Sequence, residues 1–120
     1  MSLNAKDLEP RELANVHNTA VSAATDILSS TIAPSSGTPA KLAVLFRVQV
    51  AMNTAGVFSA RITKSSTTVG VNFNSGANLV ADSVYIFDLL VHNGDTVNFR
   101  HSVEATMLVL RVQEIPVGVS

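Results

Sequence analysis

The chain has no cysteine and no tryptophan, and only one tyrosine. Without thiols, disulfides and thiolate metal sites are excluded. A single Tyr leaves little from which to build an aromatic platform for sugar rings. Charge is scarce as well: Asp, Glu, Lys and Arg make up 14% of the residues, against roughly 25% in ordinary soluble domains. The net charge is −1, and the eight Lys and Arg gather nowhere beyond Arg100-His101. No electrostatic footprint for nucleic acid follows. Uninterrupted apolar runs are a few residues long, far short of a membrane-spanning helix. The opening MSLNAKDLEPRELANVHN is charged rather than a basic segment followed by an apolar one, which predicts no signal peptide. The expectation is a chain made in the cytoplasm, with no nucleic-acid and no membrane partner.

What remains is 47% apolar and 120 residues long, enough for one domain around one core. With so little charge, the surface must be Ser, Thr and Asn, or part of it must be covered by other subunits. The second alternative predicts an assembled protein.

Charge density divides the chain. Lys6, Asp7, Glu9, Arg11 and Glu12 all fall within residues 1–18, where Leu3, Leu8, Leu13 and Val16 form a partial helical stripe, enough for one or two turns over Glu12–Val16 but too sparse to define a full helix. This segment reads as an N-terminal arm, and residues 19–120 as the folded domain. There the period changes to two. In Lys41–Ala51, Leu42, Val44, Phe46, Val48 and Val50 alternate with Ala43, Leu45, Arg47, Gln49 and Ala51, the pattern of a half-buried strand. Phe58–Thr63 and Val69–Phe73 continue it, with turns at 52–56 and 65–67. Asn74–Asn78 is a loop.

Ser83–Val91 is apolar on both faces: Tyr85, Phe87, Leu89 and Val91 on one, Val84, Ile86 and Leu90 on the other. Such a strand is covered twice, by the core and by something else. Asn93-Gly94 predicts a tight hairpin leading into Val97 and Phe99. The last strand, Met107–Glu114, is expected to turn Leu108, Leu110 and Val112 inward, with Met107, Val109, Arg111 and Gln113 outward. Thr25–Ala33 is read as a further strand. Seven or eight short antiparallel strands without helical crossovers predict an all-β jelly-roll or Greek-key sandwich.

The search for chemistry returns little. No Gly-x-Ser-x-Gly elbow, phosphate loop, zinc spacing or calcium loop occurs. His92 and His101 flank Asp95 across the predicted hairpin, a weak constellation whose ordinary reading is surface residues. Asp88 lies between Phe87 and Leu89, where an isolated charge is expensive; an intrachain partner is expected among Arg61, Arg100 and Arg111. Arg47 and Arg61, both outward, raise the same question from the other sign. No catalytic, cofactor or metal residue is assigned, and the expectation is a protein without enzymatic activity or cofactor.

The C-terminal half carries a cadence: Asn74-Ser75-Gly76, Leu79, Tyr85-x-Phe87-Asp88, Gly94-Asp95-Thr96-Val97-Asn98-Phe99-Arg100, then the closing strand to Glu114. Over residues 41–115 this resembles small jelly-roll structural proteins of tailed phages and archaeal viruses, of the head-decoration or tail-associated type. The resemblance implies a virion protein that self-associates, commonly as a homotrimer, and docks on a major capsid or tail protein, often through a terminal arm. It carries no functional residue with it. A receptor- or carbohydrate-binding module on the same sandwich is the alternative.

Overall fold

The computed structural model describes residues 10–35 and 43–116. Among these residues the strands are, in chain order, β1 (Arg11–Val21), β2 (Ala43–Met52), β3 (Phe58–Lys64), β4 (Thr67–Asn72), β5 (Tyr85–His92), β6 (Asp95–His101) and β7 (Ala105–Pro116), with a 3-10 turn at Asn74–Gly76. They form two antiparallel sheets, one ordered β1-β7-β2-β5 and the other β4-β3-β6. The fold is all-β and sandwich-like, as the strand spacing predicts.

Period-two alternation sets the core. Val44, Phe46, Val48 and Val50 on β2 are fully buried, as are Leu110 and Val112 on β7. They face Phe58, Ala60, Val97 and Phe99 of the three-stranded sheet. Between the sheets runs a stack of rings: Phe99–Phe58 at 5.6 Å, Phe58–Phe73 at 5.5 Å, Phe73–Phe87 at 4.7 Å and Phe87–Tyr85 at 5.8 Å. Each such pair adds about 0.5–1.5 kcal/mol beyond area burial. Phe46, Phe73 and Leu110 share one core cluster, and Phe87 packs against it.

Four expectations change in detail. Residues 11–18, read as arm, belong to β1, which pairs with β7 from Arg11↔Glu114 to Val21↔Ala105. Leu13 is an extra residue between Glu12↔Gln113 and Ala14↔Val112, and this bulge breaks the alternation that would have announced a strand. The proposed boundary at residue 18 therefore falls inside β1, while residues 1–9 of the arm lie outside the described residues.

Thr25–Ala33 is not a regular strand. It straps the free side of β6 through isolated bonds: Ala24 N to His101 O, Ile27 N to Phe99 O, and a two-way bridge between Ile32 and Val97. At the start of β7 the phase slips. Ala51 pairs with Val109 but Met52 with Met107, so Leu108 bulges outward and is 37% exposed while Met107 is fully buried. Finally, the Asn93-Gly94 turn, with Gly94 at φ +93, does not close a hairpin. β5 and β6 lie in different sheets, and the turn carries the chain across the sandwich.

Candidate functional site

The histidine constellation does not assemble. His92 is exposed at the end of β5, Asp95 opens β6 opposite Lys64, and His101 closes β6 opposite Phe58. Asp95 and His101 lie at opposite ends of the seven-residue β6, about 20 Å apart at strand rise. His101 is not a surface residue: it is fully buried, and its Nε2 lies 3.0 Å from the Thr54 carbonyl. Gly56 lies against its ring, where a Cβ would come within 2.7 Å of Nε2. Among the described residues no group of three or more His, Cys, Asp or Glu could hold a metal ion. No helix among them is long and apolar enough to cross a membrane.

Asp88 finds a partner, but not one of the three expected. Arg47, directly opposite on β2, donates from Nε to Oδ1 at 2.9 Å and from Nη2 to Oδ2 at 3.2 Å. This two-pronged contact lowers the Asp88 pKa, chiefly by hydrogen bonding to the charged form, and raises that of Arg47. Both side chains are 44% exposed, and the partial desolvation of Asp88 is outweighed by its hydrogen bond to Arg47: its apolar neighbours point inward and it points out.

Around that pair lies the first unusual surface. β5 is an edge strand, and its outward side chains Ile86 and Leu90 are 61% and 50% exposed, with Val80 and Val84 at 61% and 60% just before the strand. Register continues the apolar row inward from Leu90 to Leu45 and Ile115. Exposed edges are normally blunted by bulges, charges, brevity or cover. β1 has its Leu13 bulge and the left-handed Asn18. β4 is six residues long and holds Gly70, and β6 is strapped by residues 24–32. β5 has eight residues in unbroken register with β2 and no Pro, Lys or Gly. Among the described residues β4 and β5 are the edges with neither bulge nor strap, and β5 is the longer, interrupted on its outward face only by the paired Asp88.

The second surface is the outer face of the three-stranded sheet. Cross-strand pairing puts Asn72, Ser59 and Arg100 in one row and Gly70, Arg61 and Asn98 in the next. A groove of about 490 Å3 runs over Ser59, Arg61, Gly70, Asn72 and Arg100, bounded by Val57 and Ser102. Arg100 is held through Nε by Asp26 at 2.8 Å. Sequence reasoning noted Arg61 and Arg100 only as partners for Asp88. The signal missed was their common outward phase, with a glycine on the adjoining strand.

The chain matches no known family model, and no curated protein or solved structure matches it either.

Proposed function

We propose that this protein is a non-enzymatic virion structural component that assembles as a homotrimer and docks on a capsid or tail lattice. The observation that carries the reading is the edge strand β5, with Ile86 and Leu90, and Val84 just before them, exposed in one row around the paired Asp88. Monomeric proteins rarely leave a long, regular, apolar edge uncovered, and a low overall charge fits a surface meant to be shared. A second copy is the natural cover, since closed homo-oligomers are the commonest way to bury such a patch.

Strand order supports the jelly-roll reading. With the strap at residues 24–32 counted as an eighth strand beside β6, each sheet has four members, β1-β7-β2-β5 and strap-β6-β3-β4. The chain then crosses between sheets at β1 to strap, strap to β2, β2 to β3, β4 to β5, β5 to β6 and β6 to β7. Two four-stranded sheets wound in this way are the double Greek key of a jelly roll. The residue cadence from Asn74 to Glu114 gives the virion assignment, and the charged segment before β1, with Lys6, Asp7 and Glu9, is the arm that docks.

Sedimentation equilibrium tests the assembly. The expected species has three times the 12.6 kDa mass of the protomer, and the pair Ile86→Lys with Leu90→Lys returns it to monomer without lowering the melting temperature. A monodisperse protomer at tens of micromolar sinks the reading. Copy number in the native particle separates a lattice component, present in hundreds, from an adhesin, present in a few.

A receptor- or carbohydrate-binding role is the second reading, favoured by the groove over Arg61 and Arg100.

A further inference from the structure

The groove on the three-stranded sheet has more built into it than an exposed strand surface needs. Gly70 faces Arg61 across the β3–β4 ladder, and a Cβ at position 70 would sit 3.1 Å from the Arg61 Nη1. The missing side chain leaves a shelf on which the guanidinium lies over β4. Arg61 makes no ion pair among the described residues. Arg100, its diagonal neighbour on the same face, is already engaged by Asp26. Two cations and one anion leave this face with a single net positive charge, centred on a planar donor fork.

The surrounding groups are neutral and hydrogen-bonding. The Ser102 hydroxyl accepts from the Val57 N–H at 2.8 Å, which leaves its own hydrogen to donate. Ser59 and Asn72 flank the same floor, and both are directly paired across the ladder. A volume of about 490 Å3 falls within the range of roughly 300–1,000 Å3 usual for small-ligand sites.

We propose that this groove binds a carboxylate-bearing sugar, with Arg61 taking the carboxylate and Ser59, Asn72 and Ser102 taking ring hydroxyls. A guanidinium fork matches a carboxylate in a two-pronged fashion. A dianion such as phosphate would want two uncompensated cations, and Asp26 balances the charge of Arg100. A neutral sugar would want a Phe, Tyr or Trp ring to stack on, and none of the described residues that line the groove is one. An acidic peptide would want an apolar anchor pocket, and Ala24 and Val57 offer only small patches at the rim. This inference is independent of the assembly through β5, because the two surfaces lie on opposite sheets.

Titration of the isotope-labelled full chain with sodium glucuronate, followed by amide NMR shifts, tests it. Saturable shifts are expected in segments 57–61, 70–72 and 100–102, with none from glucose. Arg61→Gln should weaken binding at least tenfold at an unchanged melting temperature. Gly70→Val should do the same while keeping the charge, because it displaces the guanidinium. The proposal is overturned if glucuronate produces no saturable shift up to tens of millimolar, or if Arg61→Gln and Gly70→Val both bind as well as the parent. It is equally overturned if inorganic phosphate binds as tightly, which makes this a generic anion patch, or if a Glu-rich peptide binds more tightly, which makes it a protein-docking face.

Discussion

The side-chain amide of Asn98 stands in for a missing strand: its Oδ1 accepts from the Leu28 N–H at 3.0 Å and its Nδ2 donates to the Leu28 carbonyl at 3.1 Å. One buried side chain thus satisfies both backbone groups of a residue in a segment that has no regular ladder. The same Oδ1 also takes the Phe99 N–H at 2.8 Å. Replacing Asn98 with Ala leaves these groups without partners, at a cost of about 1–3 kcal/mol each where water cannot reach. Asn98→Ala should lower the melting temperature and raise amide exchange at Leu28 and Ile27 more than at β3. Unchanged exchange at Leu28 would mean that Asn98 does not hold the strap.

Phe46 tests the core. It is fully buried on β2, between strands β5 and β7. Phe46→Ala should cost about 3–5 kcal/mol through lost transfer and an unfilled cavity, a large share of the 5–15 kcal/mol that holds a typical domain. A melt within a degree or two of the parent would show that the inward phase of β2 is misassigned.

How much of this was readable from residues depends on whether alternation runs unbroken. β2 reads cleanly because alternation holds from Ala43 to Val50, and β5 reads as doubly apolar because both faces are, apart from Asp88. β1 hides because Leu13 bulges and Asn18 takes a positive φ of 48, so no window of it shows period two for long. Leu108 misleads for the same reason on β7. Thr25–Ala33 looks strand-like in composition, yet it is held by isolated backbone bonds at Ile27 and Ile32 and by the Asn98 side chain at Leu28, which no periodicity records. The groove was harder still. Ser59, Arg61, Gly70, Asn72 and Arg100 come from three strands, and only the register of β3 with β4 and β6 joins them.

The Arg47–Asp88 pair makes a pH prediction with a definite sign. Hydrogen bonding to Arg47 lowers the folded Asp88 pKa below its ordinary value near 4, so the folded state binds this proton less readily than the unfolded chain does. The pair's contribution is fully present above that ordinary value and disappears as pH falls through the depressed folded one. Because both groups are well exposed, the contribution is small and weakens with salt. Asp88→Asn should leave a protein whose melting temperature falls less steeply below pH 4 than the parent's, with the difference reduced in 1 M salt. An identical acid limb in both proteins would show that the pair is inconsequential.

The last prediction separates the docking arm from the strand that follows it. Deleting residues 1–9 leaves every β1–β7 pair in place, since pairing begins at Arg11↔Glu114. That variant should melt with the parent, while co-sedimenting less with a capsid or tail lattice if the charged segment docks. Deleting residues 1–18 is a different operation. It removes Leu13, Ala14 and Val16 from their contacts with the core and strips β7 of its partner from Glu114 to Val109. Each apolar side chain of this kind contributes up to about 1.5–3 kcal/mol when fully buried, and these are half-buried, so a loss of a few kcal/mol is expected. In a domain of this size that lowers the melting temperature by on the order of 10 °C or more. It also turns β7 into a second open edge, so the longer deletion should aggregate where the shorter one does not. Equal melting temperatures for the two deletions would mean that β1 adds nothing to the sandwich. Equal co-sedimentation of the 1–9 deletion and the parent would remove docking from the role of the segment before β1 and leave it to the open edge at β5.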